Sequence, residues 1–211
     1  MAIKVKICGI TSARDAQDTV AAGADALGFM FYPQSKRFIT SDAAREIISG
    51  LPADVLRVGV FVNADRREVH RIIEATGINA VQFHGEESPE FCEEFRALKV
   101  WKAFRIENED SLRTVRRFPN VDAWLLDSHV SGAHGGTGQV FDWGLAIKAK
   151  SLGRPVILAG GLHPGNVVDA VRQVQPAGID VSSGVELAPG RKDPAKVRAL
   201  IEAVKTAGIP A

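Results

Sequence analysis

Apolar and β-branched residues occur in short runs along this chain. Each run leads through a turn signal into a longer stretch whose apolar positions recur at helical spacing. This alternation predicts repeated βα units. The first strand is expected at Val5 to Cys8, with a helix opening after Thr11 or Ser12 and closing near Gly23. The second, Ala26 to Phe31, runs into the loop Tyr32-Pro33-Gln34-Ser35-Lys36-Arg37, and Ser41-Asp42 caps a helix ending at Gly50. Leu56 to Val62 and Ala80 to Phe83 follow, with helices over Asp65 to Thr76 and from Ser88-Pro89, where proline suits a first turn. Lys99 to Phe104 and Ala123 to Asp127 flank a helix near Asp110 to Arg117. Val156 to Ala159 and Ile179 to Ser182 complete the strands, with helices near Pro164 to Val174 and Asp193 to Ala207.

Eight such units at about 26 residues each predict an α/β fold, a closed (β/α)8 TIM barrel forming one domain over residues 1–211. An open doubly wound sheet is the rival. Eight units without a long edge segment favour closure. At 211 residues the chain is near the floor for such barrels, so most loops must be short.

Composition narrows the function. With 45% hydrophobic and 24% charged residues and a net charge of +1, the chain reads as ordinary globular protein, without a basic stripe for nucleic acid or a face for membranes. Cys8 and Cys92 lack metal or disulfide spacing, Lys4 and Lys6 interrupt the apolar start, and no apolar run approaches a membrane span. The expected location is therefore the cytoplasm, where a thiol stays reduced.

In such barrels chemistry gathers on the loops after the strands' C-terminal ends. Those ends carry Cys8, Arg37, Asn63, His84, Asp127, Gly160-Gly161 and Ser182-Ser183. The glycine turns Ala159-Gly160-Gly161-Leu162 and Ser182-Ser183-Gly184-Val185-Glu186 follow the last two strands, where barrels commonly bind phosphate through backbone N–H groups. Either turn alone is equally a tight left-handed turn. A cysteine such as Cys8 is commonly just a small buried apolar residue, but its place at a strand end also suits a proton-transferring thiol. Cys92, inside a helix, keeps the packing reading. Asp127 closes an apolar strand, where it serves as a loop carboxylate or, in a partly dry pocket, as a general acid. Lys36 and Arg37 are loop cations, and Arg37 has the planar fork that grips a carboxylate. His84 contacts substrate or satisfies its own loop. Strand parity puts Lys6 and Asp180 inside the barrel, where they are expected to pair beneath the site.

These segments resemble the phosphoribosylanthranilate isomerase family. Lys6-Ile7-Cys8-Gly9-Ile10-Thr11 looks like its signature opening, and further matches follow in the family's order: Pro33-Gln34-Ser35-Lys36-Arg37, Gln82-Phe83-His84-Gly85, Leu125-Leu126-Asp127, Gly135-Gly136-Thr137-Gly138, Ala159-Gly160-Gly161 and Asp180-Val181-Ser182-Ser183-Gly184. Phe83 replaces the more usual leucine, a change of packing only. The resemblance implies an Amadori rearrangement of a phosphoribosyl anthranilate in tryptophan biosynthesis. It assigns Asp127 as general acid and Cys8 as general base, with Arg37 on the anthranilate carboxylate, His84 lining the site, and Gly161, Ser183 and Gly184 on the phosphate. It implies no redox cofactor and no metal, a phosphorylated small molecule as partner, no nucleic acid or membrane, and a monomer or homodimer. The Gly135 to Gly138 loop is expected to close over substrate.

Two other classes remain to be weighed. Another phosphosugar isomerase would be expected to place an acidic base at the first strand or to carry metal-binding histidines. A barrel that only binds a phosphometabolite would have no need of Cys8 and Asp127 together.

Overall fold

A computed structural model describes residues 3–127 and 143–207. The Gly135 to Gly138 loop lies outside the described residues. Eight parallel strands close into a barrel in sequence order: β1 (Lys4–Cys8), β2 (Ala26–Met30), β3 (Leu56–Phe61), β4 (Ala80–Phe83), β5 (Lys99–Arg105), β6 (Ala123–Asp127), β7 (Val156–Ala159) and β8 (Gly178–Val181). Closure is the β1–β8 pairing, in which Lys6 lies opposite Asp180 and Ile7 opposite Val181.

The helices are α1 (Ala13–Ala21), α2 (Ser41–Ser49), α3 (Arg66–Thr76), α4 (Pro89–Glu93), α5 (Ser111–Val115), α6 (Trp143–Lys150), α7 (Val167–Val174) and α8 (Pro194–Ala207). Their apolar stripes cover the outward faces of the strands. Ile7, Leu27, Phe83, Trp124 and Leu158 share one buried cluster with Ile72, Val171 and Leu200 from the helices. The inward strand faces pack separately, with Ala103, Leu125 and Ile157 in one group and Ala26, Val58 and Ala80 in another. This two-shell division fixes parity: residues in register with Leu125 or Ala26 point into the barrel.

Most boundaries fall within two residues of those expected, and three differences matter beyond that. Thr40, not Ser41, caps α2, its hydroxyl accepting from the Ala43 N–H at 3.3 Å. Helix α7 starts three residues late, because the Asn166 side chain folds back to accept from the His163 N–H at 2.8 Å. After β8 a short 3-10 turn (Ser183–Val185) leads into an unexpected antiparallel hairpin, β9 (Glu186–Ala188) and β10 (Arg191–Lys192), which lies over the end of β1.

Candidate active site

The inner face of β1 carries Lys6 and then Cys8. Lys6 is only 1% exposed and its Nζ donates to Asp180 Oδ2 at 2.8 Å, so the pair expected from strand parity lies under Cys8. Space for both side chains comes from Gly28 on β2. A Cβ there would stand 2.7 Å from Cys8 Sγ and 3.0 Å from Lys6 Nζ. The Lys6 ammonium and the Cys8 thiol thus face the same gap in the barrel wall. Burial pushes the Cys8 thiol up. The Lys6 ammonium pulls it down and Asp180 pushes it up again, and the outcome lies above the ordinary thiol value. Cys92 is packed in the outer shell, and burial pushes its thiol up to about 12. It has no part in the site.

Asp127 ends β6 two positions beyond Leu125, on the same inward face. His84, just beyond β4, sets Nε2 3.3 Å from Asp127 Oδ2. Its other nitrogen, Nδ1, lies 3.1 Å from the amide nitrogen of Gln82. With that amide donating, Nδ1 accepts and Nε2 carries the hydrogen that faces the carboxylate. The loop bearing His84 is fixed from below. Lys102 Nζ, 3% exposed, donates to the Gly85 carbonyl at 2.8 Å and lies 3.3 Å from Glu87. Glu87 in turn accepts from the Asn63 and Gly85 N–H groups. A cleft of about 640 Å³ opens beside His84 and Arg105, between the β4–α4 loop and α5, and Cys8, Asp127 and the glycine turns do not line it.

The hairpin positions Arg37. Its Nε and Nη2 donate to the two Glu186 oxygens at 2.8 and 2.6 Å, and its stem lies over Gly9, where an added Cβ would fall 2.5 Å from Cδ. Two of the guanidinium's five donors are thereby used, and the fork is held next to Cys8. Lys192 Nζ completes the arrangement, donating to Glu186 Oε1 at 2.8 Å and to the Cys8 carbonyl at 2.6 Å. Burial raises the Glu186 carboxyl, but hydrogen bonds from Arg37 and Lys192, with their charges, outweigh it and hold the group below the ordinary carboxylate value.

The two glycine turns meet. Gly160 and Gly161 have φ of +82° and +65°, the left-handed region, and Gly184 packs so closely on the first turn that a Cβ would fall 1.9 Å from the Leu162 carbonyl oxygen. Ser183 and Gly184 open the 3-10 turn. Gly161, Ser183 and Gly184 therefore lie together across β7 and β8, as a shared anion cradle requires. The structure brings Cys8, Lys6 and Arg37 together around β1, and His84 with Asp127 around β4 and β6. Sequence reasoning assigned no role to Glu186, Lys192, Glu87 or Lys102. Glu186 stood inside a glycine turn already singled out, whereas the others are lysines and a glutamate whose burial no local pattern signals.

The family model for N-(5'phosphoribosyl)anthranilate (PRA) isomerase matches residues 5–203. A curated N-(5'-phosphoribosyl)anthranilate isomerase from Citrifermentans bemidjiense is 52% identical over 202 residues, covering 96% of this chain and 97% of the relative. The solved phosphoribosyl anthranilate isomerase of Thermotoga maritima superposes with a TM-score of 0.92 at 41% identity, over 97% of this chain and 99% of that one. A phosphoribosyl anthranilate isomerase solved in complex with reduced 1-(o-carboxyphenylamino)-1-deoxyribulose 5-phosphate superposes with a TM-score of 0.88 at 40% identity, over 97% and 99% of the two chains.

Proposed function

This chain belongs to the N-(5'-phosphoribosyl)anthranilate isomerase family and is an isomerase of tryptophan biosynthesis, and from that premise we propose that Asp127 and Cys8 carry its reaction as general acid and general base. The substrate is N-(5'-phosphoribosyl)anthranilate and the product 1-(2-carboxyphenylamino)-1-deoxyribulose 5-phosphate. Asp127 gives its proton to the ribose ring oxygen, the C1–O bond breaks, and the nitrogen lone pair forms the C1 iminium. The His84 hydrogen facing Asp127 Oδ2 stabilises the carboxylate left behind. The Cys8 thiolate then takes the C2 proton, and the electron pair moves into the iminium to give an enolamine. Ketonisation adds a proton at C1 and removes one from the C2 hydroxyl, so the sum of atoms is unchanged.

Binding supports these steps. Backbone N–H groups of Gly161, Ser183 and Gly184 hold the phosphate at the two glycine turns. Arg37, fixed from behind by Glu186, offers its remaining N–H groups to the anthranilate carboxylate. On this reading the protein works in the cytoplasm on a phosphorylated small molecule, as a monomer or homodimer.

The observation that carries the assignment is that Cys8 and Asp127 stand on the inward face at the same, C-terminal end of the barrel as the paired glycine turns. Its test is decay of the anthranilate substrate's fluorescence with purified protein. Cys8→Ala and Asp127→Asn are each expected to lose about three or more orders of magnitude in kcat with far-UV circular dichroism unchanged. Near-normal turnover in either folded variant removes that residue from the mechanism.

A further inference from the structure

We propose that Lys6 is a positioning residue for this reaction: its ammonium group, held between Cys8 and Asp180, is the counter-ion on which the Cys8 thiolate forms, with Asp180 competing for the same charge. The inference rests on Cys8 being the base.

Three separate features place Lys6 in this role. Register sets Lys6 directly opposite Asp180 on the neighbouring strand, with Nζ 2.8 Å from Oδ2 and side-chain exposures of 1% and 8%. The empty position at Gly28 lies 2.7 Å from Sγ and 3.0 Å from Nζ, so thiol and ammonium share one wall of the barrel. The second Asp180 oxygen is buried without a partner among the described residues, so this carboxylate depends on Lys6 for its compensation.

Charge counting gives the consequence. Lys6 and Asp180 together are neutral, and turning Cys8 into a thiolate leaves the three groups at a net charge of −1 in a sealed place. The other charges facing Cys8 are Lys192 from β10 and Arg37 from the loop before α2; both are bound to Glu186, whose single negative charge leaves that trio at +1 and further from the thiol's own wall. Strand β2 offers only Gly28. Burial outweighs these cations and displaces the thiol upward, with Lys6 the largest opposing influence. Removing the cation should make ionisation harder. Removing the competing carboxylate should leave a cation in want of an anion and make ionisation easier.

The experiment follows the alkylation of Cys8 by iodoacetamide against pH, read by peptide mass, with kcat and KM profiles measured in parallel. Lys6→Met is expected to move the alkylation midpoint up by about one pH unit or more, and to lower kcat at neutral pH about tenfold or more with KM nearly unchanged. Asp180→Asn is expected to move the midpoint down. A merely structural pair would not yield opposite signs. If Lys6→Met fails to fold because Asp180 is stranded, Lys6→Met/Asp180→Asn removes both charges and should still show the upward shift relative to Asp180→Asn alone. Midpoints that stay put, or move in the same direction in both single variants, overturn the proposal. If Cys8→Ala keeps turnover while these midpoints still shift, the fault lies with Cys8 as base and not with Lys6 as its counter-ion.

Discussion

Gly28 shows how one missing side chain shapes the chemistry. The position lies on an inward strand face, where β-branched or alanine side chains would ordinarily fill the barrel. A methyl group there would meet Cys8 Sγ at 2.7 Å and the end of Lys6 at 3.0 Å. The Lys6 chain is flexible in principle, but its Nζ is held by Asp180, and the Cys8 side chain is buried. Gly28→Ala should therefore displace the reactive pair more than it disturbs the fold. Its kcat is expected to fall about tenfold or more, while the folded state loses roughly 1–3 kcal/mol as an overpacked core does. Steady-state kinetics alongside urea unfolding would separate the two effects. Unaltered kcat would mean that the Cys8 and Lys6 positions tolerate movement.

Among the elements, the β4–α4 loop owes its shape to a buried ion pair standing outside the barrel wall. Lys102 is bound by Glu87 and by the Phe83, Gly85 and Ala103 carbonyls, and Glu87 by the Asn63 and Gly85 N–H groups. The partners are not equivalent. Lys102→Met strands a buried carboxylate and is expected to cost about 3–5 kcal/mol. Glu87→Gln keeps an oxygen for the two N–H groups and leaves Lys102 its three carbonyls, so its cost should be smaller, about 1–3 kcal/mol. Urea midpoints of the two variants check the order; the reverse order would mean that the loop rests on the carboxylate's charge rather than on the lysine. These same residues mark what was hidden in the chain. Strands β4, β6 and β7 were legible residue for residue, because an apolar run ending in a turn has few alternatives. Parity then placed Lys6 against Asp180 without coordinates. Lys102 and Lys192 were not legible, since a lysine buried by distant partners has the same local neighbours as an exposed one. The hairpin escaped because β9 and β10 span only three and two residues, too short for alternation to register.

Over the molecule as a whole, the two ends of the barrel divide the work. The C-terminal end holds Cys8, Asp127, Arg37 and the glycine turns, with buried charge networks beneath them. The N-terminal end holds a cavity of about 290 Å³ lined by Ala26, Trp101, Ala123, Ile157 and Gly178, and no residue assigned to acid, base or phosphate binding reaches it. Lys6 lines this cavity and also reaches the wall it shares with Cys8, so it touches both ends. The division implies that stability can be added at the bottom without cost to the top. Ala123 is an inward residue of β6, 5% exposed, at a strand position where a β-branched side chain is favoured. Ala123→Val adds two carbon atoms to the cavity wall, worth about 1 kcal/mol if they pack, which for a chain of this size raises Tm by roughly 2–4 °C. Calorimetry should show that rise, with kcat/KM within about twofold of the parent. A large loss of kcat/KM in a stabilised variant would mean that the packing of the barrel floor is transmitted to the catalytic end, and that the two ends are coupled through the layer of inward residues between them.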